Sequence, residues 1–330
     1  MELLIIGGTG YLSSAIVETA IAAGHAVTVV TRGSKSDRLP AEARHVVADR
    51  NDPAQLRAAL GGRDYDAVID CICYNEGHAR TAVEVFAGHA GRLVTISTDF
   101  VYRPGDRRLP VTEDAPRESS SGYGQGKRAA EDLLLGPDSP LPATVLRPPH
   151  VVGAGALLGT GSWQGRDAAL IARLRRGEPT VLLEGGQFLI QPADRRDIGA
   201  ACLAVIGGPA CAGRAYNMAG PQAVTTRRYY EIVAEILGVP LHIASLPASV
   251  YLAAFPDRDA FAQHRMYSLD ALARDAGFRP SIALEQSLRE MVGWLEANPP
   301  AGYNAEPTES ETKLLALLAN RDSAALDILL

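Results

Sequence analysis

The stretch that most constrains the fold is at the very start of the chain. Four apolar residues at 3–6 run directly into a glycine-rich turn at 7–10. An amphipathic helical pattern follows and ends at Gly24, and a second apolar run occupies 26–30. This order predicts a strand, a tight turn, a helix and a second parallel strand, which together make one β-α-β unit.

Glycines in such a turn have a conformational role. They let the turn close and let the backbone approach a pyrophosphate, while the helix N terminus offers free N–H groups to the phosphates. An ordinary β-α turn is the alternative, and the strand before and the helix after it count against that reading. We therefore expect a dinucleotide to lie across this turn. The residues expected to contact it there are Gly7, Thr9, Gly10, Tyr11 and Leu12.

The end of the second strand bears on which dinucleotide is bound. An acidic residue there receives the ribose hydroxyls of NAD, whereas an arginine receives the 2′-phosphate of NADP. Arg32 stands at this position, and no carboxylate accompanies it. NADP is therefore the preferred cofactor and NAD a possible one; the alternative is that Arg32 is a solvated loop charge. Asp49, at the end of the third predicted strand, is a candidate for the adenine amino group.

Composition narrows the class of protein. The chain of 330 residues is 47% hydrophobic with a formal net charge of −6, which gives no reason to expect nucleic acid or an anionic membrane as a partner. Cys71 and Cys73 stand one residue apart in a predicted strand, a spacing that suits neither a metal nor a redox pair. No signal peptide or membrane span is recognisable. We expect a cytoplasmic protein without a metal.

Side chains with catalytic potential gather where predicted strands end. Tyr74 follows the fourth strand and Thr98 the fifth, at the edge where ligands of open α/β sheets bind. Tyr123 and Lys127 are four residues apart and share a helix face. An ammonium one turn away lowers the pKa of a phenol, and a threonine hydroxyl can hold a substrate oxygen. Such a set suits proton transfer at an alcohol or ketone oxygen while hydride moves to or from nicotinamide.

These stretches resemble the extended short-chain dehydrogenase/reductases, a group of epimerases, dehydratases and reductases. The resemblance covers residues 1 to about 298 and identifies the chain as a somewhat atypical member. The motifs that carry it are the glycine-rich turn at 7–13, Asp49-Arg50, the run at 97–102, the run at 123–127 and the run at 146–153.

The resemblance implies a role for several residues. Tyr123 is the acid/base, Lys127 lowers its pKa and binds the nicotinamide ribose, and Thr98 positions the reacting oxygen. The other residues implied at the cofactor are Arg50, Cys71, Arg147 and Pro148. Those expected at the substrate are Tyr74, Asp99, His150 and, more weakly, Arg265, for which a surface position is the alternative. Dimerisation through the helices at 77–90 and 123–135 is also implied, so a homodimer is expected.

The predicted fold class is α/β, with a Rossmann-type doubly wound parallel sheet and a smaller α/β substrate lobe. Residues 1–150 form the dinucleotide-binding domain, which a strand near 215–218 completes by resemblance. Residues 151–298 form the substrate lobe, whose glycine-rich loop at 154–165 is a candidate lid. Residues 299–330 are a linker and an amphipathic helical tail, expected to pack on its own lobe or on a second subunit.

The expected function is oxidoreduction or epimerisation at a secondary alcohol or ketone carbon of a sugar, a sugar nucleotide or a similar polyhydroxylated small molecule. Reductase, epimerase and dehydratase chemistry would use the same residues. Phe100, where dehydratases often carry a glutamate, argues mildly against dehydration. The alternative from another class is a non-catalytic NADP- or RNA-binding protein on the same fold, against which the presence of Thr98, Tyr123 and Lys127 argues.

Overall fold

The structure, a computed structural model, describes residues 1–105, 108–160 and 166–329. The strands, numbered in chain order, are β1 (Glu2–Ile6), β2 (Ala26–Thr31), β3 (Arg44–Val47), β4 (Ala67–Asp70), β5 (Leu93–Ile96), β6 (Ala143–Arg147), β7 (Val151–Val152), β8 (Thr180–Leu183), β9 (Leu189–Ile190), β10 (Ala193–Asp194), β11 (Arg214–Asn217), β12 (Val224–Thr225) and β13 (Ile243–Leu246). The α-helices are α1 (Tyr11–Ala22), α2 (Pro53–Leu60), α3 (Glu76–Phe86), α4 (Gly122–Leu134), α5 (Leu170–Arg175), α6 (Arg195–Gly207), α7 (Thr226–Leu237), α8 (Ala248–Ala254), α9 (Asp270–Ala276), α10 (Leu284–Ala297) and α11 (Glu309–Leu329).

Seven strands form one parallel sheet in the order β11-β6-β5-β4-β1-β2-β3. The central strands are apolar on both faces, as strands covered by helices on both sides must be. In β1, Leu3 and Ile5 pack into one apolar cluster with α1 and α6, whereas Leu4 and Ile6 pack into another with α2, α3 and α4. The prediction of a doubly wound Rossmann-type sheet is confirmed.

The chain divides into two compact units, and the division is less simple than the sequence suggests. The first unit comprises Met1–Val151, Gln191–Pro221 and Met266–Ile282; the second comprises Val152–Ile190, Gln222–Arg265 and the chain from Ala283 onward. The predicted boundary at 150 is therefore wrong for α6 and α9, although β11 does join the sheet. The reason is that one face of the sheet needs a second helix beside α1 to bury its apolar side chains. Ile198 and Ala201 of α6 pack there.

The second unit is built around two short strand pairs. Strand β8 pairs with β13 in parallel, and β9 pairs with β12 in antiparallel fashion. The loop expected as a lid falls partly outside the described residues, at 161–165. Its described part is held to α7, because the backbone N–H groups of Gly159 and Thr160 donate to the hydroxyls of Tyr229 and Tyr230. Within the described ranges, no helix has the length and apolar character needed to cross a membrane.

The C-terminal helix α11 packs on the second unit itself. Leu314, Leu315 and Leu318 join an apolar cluster that also contains residues of β8, β13 and α8. Arg173 of α5 adds a polar tie, donating to both carboxylate oxygens of Glu311 at 3.1 Å. Of the two positions expected for the tail, the structure therefore supports packing on its own lobe.

This packing predicts a sharp difference between two adjacent leucines. Leu318 is 6% exposed and Leu317 is 67% exposed. Leu318→Ala should lower the free energy of unfolding by about 2–4 kcal/mol, because it removes buried methyl groups and leaves a cavity. Leu317→Ala should change it by less than about 0.5 kcal/mol. Urea denaturation of both variants measures this, and equal losses would mean that α11 does not use this face.

Candidate active site

A cavity of about 530 Å³ in the first unit opens along the carboxyl ends of β1 and β2. Six of the predicted cofactor residues and one predicted substrate residue line it: Gly7, Thr9, Gly10, Arg32, Asp49, Arg50 and Tyr74. Leu12 and Cys71 instead pack against the apolar core, so their side chains are structural. Tyr11 is the first residue of α1, and its ring lies under the guanidinium of Arg195 at 5.6 Å.

The glycine-rich turn fits a dinucleotide pyrophosphate. Gly7 and Gly8 have φ values of +107° and +112°, and a Cβ on Gly8 would lie 2.5 Å from Cγ1 of Val29. Any larger residue at position 8 would therefore clash with the Val29 side chain and would have to adopt a backbone conformation that favours glycine. Helix α1 begins at this turn, with Gly10 as its N-cap and Ser13 receiving the N–H of Gly10 at 3.1 Å. The turn thus presents bare backbone and the N terminus of a 12-residue helix to the cavity.

The end of the cavity beside β2 carries positive charge. Arg32 and Lys35 line it together with Ser34, and Asp49 lies at the end of the neighbouring β3. Asp49 is oriented by Asn51, whose backbone and side-chain nitrogens both donate to Oδ1 at 2.9 Å. Among the described lining residues, no carboxylate follows β2 itself.

Arg50 has a different role from the one expected. Its Nη1 donates to both oxygens of Asp70 at 2.8 and 3.1 Å, and its Nη2 donates to the carbonyl of His78 at 2.6 Å. The guanidinium therefore fastens β3 to the end of β4 and the start of α3. Its Nε is buried and has no hydrogen-bond partner within the described part of the chain.

The three predicted catalytic residues do come together. Thr98 and Lys127 are buried, whereas the side chain of Tyr123 is 48% exposed. Ser121 caps α4 by receiving the N–H of Gly124, which fixes the first turn of the helix carrying Tyr123 and Lys127. The Tyr74 ring joins this group, with its centroid 6.5 Å from that of Tyr123. The site thus contains two phenols, one threonine hydroxyl and one ammonium.

The electrostatics of Tyr123 differ from the sequence prediction. Desolvation raises its pKa to about 12, and Tyr74 and Asp99 act in the same direction, while a hydrogen bond with Thr98 opposes them. The expected lowering of this pKa by Lys127 is not seen in the free protein. The reason is geometric, because the ammonium of Lys127 donates to the carbonyl of Ile96 at 2.7 Å and lies 5.9 Å from the centroid of the Tyr123 ring. Tyr123 is therefore protonated at neutral pH.

Two predicted substrate residues are engaged within the first unit. Asp99 is 2% exposed; its Oδ2 accepts from the hydroxyl of Tyr267 at 2.6 Å, and its Oδ1 accepts from Thr98 at 3.3 Å. Asp99 therefore orients Thr98, and its burial removes it from direct substrate contact. His150 is also buried, and its backbone carbonyl accepts from Ala193.

The remaining predicted substrate residue, Arg265, belongs to the second unit. It is 4% exposed, so the alternative of a surface position is wrong. Its guanidinium lies 5.8 Å from the ring centroid of Phe261.

Arg147, expected at the cofactor, has its guanidinium engaged inside the protein. Its guanidinium is 3% exposed, and Nε and Nη2 donate to the carboxylate of Glu131 while Nη1 donates to the hydroxyl of Tyr102. All its donor atoms are used inside the protein, in an ion pair that ties β6 to α4. Pro148 contributes through its backbone, since its carbonyl accepts the N–H of Asp99 at 3.2 Å.

Sequence reasoning missed three contributors. Glu131 follows Lys127 by one helical turn on the same face, a spacing that could have identified it. His78 lines the cavity and its Nδ1 accepts the N–H of Tyr74 at 3.0 Å. Tyr267 comes from a distant part of the chain, and no local pattern connects it with Asp99.

Comparison with known proteins agrees with this geometry. Residues 3–219 match the model of the NAD dependent epimerase/dehydratase family. The 2'-dehydrokanamycin reductase of Streptomyces kanamyceticus is 28% identical over 96% of this chain and 92% of its own length. A chloroplast stem-loop binding protein of 41 kDa from Arabidopsis thaliana is 24% identical over 88% and 78%. Among solved structures, UDP-glucose 4-epimerase of Thermotoga maritima superposes with a TM-score of 0.73, at 17% identity over 90% of this chain and 99% of its own.

The chain belongs to the NAD dependent epimerase/dehydratase family. It is an enzyme of the extended short-chain dehydrogenase/reductase type, in a family whose members depend on a nicotinamide dinucleotide. The resemblance inferred from the sequence motifs is confirmed.

The assignment of Arg147 to the protein interior can be tested by stability. Arg147→Met leaves the 1%-exposed Glu131 without its main partner, so the free energy of unfolding should fall by about 3–5 kcal/mol. Arg57→Met, which breaks an ion pair whose side chains are 52% and 55% exposed, should cost less than about 1 kcal/mol. Chemical denaturation without nucleotide measures both. Stability unchanged in Arg147→Met would restore a role for Arg147 outside the core.

Proposed function

We propose that this enzyme is an NADPH-dependent reductase that converts a ketone on a sugar or a similar polyhydroxylated small molecule into a secondary alcohol. The observation that carries the proposal is that Thr98, Tyr123 and Lys127 come together, with the phenol of Tyr123 half-exposed beside two buried polar groups. The phenol is in its protonated form at neutral pH, so it can donate a proton to a carbonyl oxygen that Thr98 also holds. Bound NADPH would supply the hydride.

The residues of the chain have distinct parts in this reaction. Thr98 and Tyr123 bind the substrate oxygen, and Tyr123 delivers the proton that turns it into a hydroxyl. Lys127 supplies a fixed positive charge beside them. Asp99 orients Thr98, and Tyr267 in turn holds Asp99. The glycine-rich turn and the N terminus of α1 would hold the pyrophosphate of the dinucleotide, which supplies the hydride when bound.

The preference for NADPH is supported by the cavity wall. Arg32, Ser34 and Lys35 offer two cations and a hydroxyl beside β2, and a charge-assisted contact to phosphate is among the stronger hydrogen bonds. The reductase direction is further supported by the Streptomyces kanamyceticus relative, a 2'-dehydrokanamycin reductase that aligns over almost the whole chain. The likeness to UDP-glucose 4-epimerase is a likeness of fold at 17% identity.

A non-catalytic RNA-binding role has less support. The Arabidopsis thaliana relative is named for stem-loop binding, but the present chain has a net charge of −6, and phosphate binding needs basic surface. The assembled Thr98, Tyr123 and Lys127 also have no purpose in a simple binder.

Tyr123→Phe tests the proton donor. The variant keeps the ring and loses only the hydroxyl, so kcat for ketone reduction should fall by about 10²–10⁴ while the Kd for NADPH stays within about twofold. Steady-state kinetics and fluorescence titration measure the two quantities. Full activity in this variant would rule out the mechanism.

Arg32→Ala tests the choice of nucleotide. Loss of a charge-assisted phosphate contact should weaken NADPH binding about 10- to 100-fold and leave NADH binding nearly unchanged. Arg38→Ala is the matched control, because Arg38 is exposed and does not line the cavity. An equal loss for both nucleotides in Arg32→Ala would show that Arg32 does not read the 2′-phosphate.

A further inference from the structure

The ammonium of Lys127 has an aromatic neighbour that its part in the proposed reaction does not explain. Lys127 is 2% exposed, and its Nζ lies 4.6 Å from the centroid of the Tyr74 ring. This is well within the distance at which a cation is attracted to the face of an aromatic ring, and the attraction grows when the cation is desolvated. The Tyr123 ring is farther from the same nitrogen, at 5.9 Å.

Tyr74 is held in place by three separate contacts. Its backbone N–H donates to Nδ1 of His78 at 3.0 Å, and the His78 ring flanks its own ring at a centroid distance of 6.0 Å. Its carbonyl lies so close to α4 that a Cβ on Gly126 would be 2.6 Å from it. Gly126 therefore lets the helix press against Tyr74, one residue before the lysine that the ring faces. The position of the Tyr74 ring beside Lys127 is therefore fixed by the packing of α4 and α3 around it.

Within the described residues, the one protein acceptor for the Lys127 ammonium is the carbonyl of Ile96, at 2.7 Å. Burial disfavours the charged form of Lys127 and lowers its pKa. The ionisable groups that face it are Asp70, Cys71, Cys73 and His78 from the segment spanning β4 and α3, and Tyr123 and Glu131 from α4. In the described part of the chain none of these groups hydrogen-bonds to Nζ, so the Ile96 carbonyl and the face of the Tyr74 ring are the groups in contact with the ammonium.

We propose that Tyr74 is a positioning residue whose ring seats the Lys127 ammonium and keeps it charged beside Tyr123. This differs from the substrate contact expected from the sequence, because it needs the face of the ring and not the hydroxyl. The effect of Tyr74 on turnover rests on the proposed function, in which Lys127 takes part. The contact between the ring and the ammonium does not depend on it, because it is present in the protein without ligands.

The chain is well suited to a direct test, because it has only three lysines, Lys35, Lys127 and Lys313. Lysine labelled with ¹³C at the ε carbon gives three NMR signals, and the signal of Lys127 is the one absent from Lys127→Arg. Three proteins are compared without substrate: the wild type, Tyr74→Phe, which keeps the ring, and Tyr74→Leu, which removes it at similar bulk. Tyr74 is 47% exposed, so these variants should fold, and a thermal melt checks that they do.

The ring should leave two signatures. The ε-methylene protons of Lys127 should be shifted upfield by the ring in the wild type and in Tyr74→Phe, and the shift should disappear in Tyr74→Leu. The titration midpoint of Lys127 should fall by about 0.5–1 pH unit in Tyr74→Leu alone, because a desolvated cation loses its aromatic partner. With NADPH and a ketone substrate, the alkaline limb of kcat/KM should move down with it.

Two outcomes would overturn the proposal. Identical Lys127 signals in all three proteins would show that the ring does not hold the ammonium. A Tyr74→Phe variant as impaired as Tyr74→Leu would assign the effect to the hydroxyl, and hence to a substrate contact. If Tyr74→Leu does not fold, Tyr74→Met takes its place. If the enzyme reduces no ketone but the two NMR effects depend on the Tyr74 ring as expected, the proposed function is wrong and the positioning role of Tyr74 is still supported.

Discussion

The close backbone approach of α4 to the segments that follow β4 and β5 is the constraint on which the active site depends. A Cβ on Gly124 would lie 2.3 Å from the carbonyl oxygen of Phe100, and one on Gly126 would lie 2.6 Å from that of Tyr74. These glycines stand between Tyr123 and Lys127, so α4 can pack closely against both segments at the positions that carry the two proposed catalytic side chains. Thr98 and Tyr74 therefore lie close to Tyr123 and Lys127, because the backbones that carry them are close.

A buried polar network supports this approach from behind. Glu131 receives hydrogen bonds from Ser97 and from Arg147, so it joins α4 to the ends of β5 and β6. Removing one member would leave a charge buried without a partner, which is more costly than the net stabilisation that the pair provides. The same ion pair explains why Arg147 is unavailable to a ligand. Arg147, which the resemblance placed at the cofactor, thus helps to hold α4 against the sheet.

The cofactor-binding half of the fold could be predicted because its signals are local. The apolar run before Gly7, the turn and the helix after it are contiguous, and each predicts the next. Tyr123 and Lys127 share a helix face, so their proximity also follows from spacing. Other features depend on partners that are distant in sequence. Asp99 is hydrogen-bonded to Tyr267, and α6, which packs on the sheet, follows in sequence a segment that belongs to the second unit. The raised pKa of Tyr123 depends on desolvation, which only the packed structure reveals.

A reductase must bind NADPH and release NADP⁺ in every turnover, and denaturing extraction of the purified enzyme shows whether the nucleotide leaves. The released nucleotide would be identified and quantified, and the extracted amount compared with reversible NADPH binding to the native protein. We expect far less than one nucleotide per chain after purification, with NADPH binding reversibly and more tightly than NADH. Tightly held NAD(H) or NADP(H) at close to one per chain would contradict it, because a cofactor retained through turnover is what an epimerase or dehydratase requires.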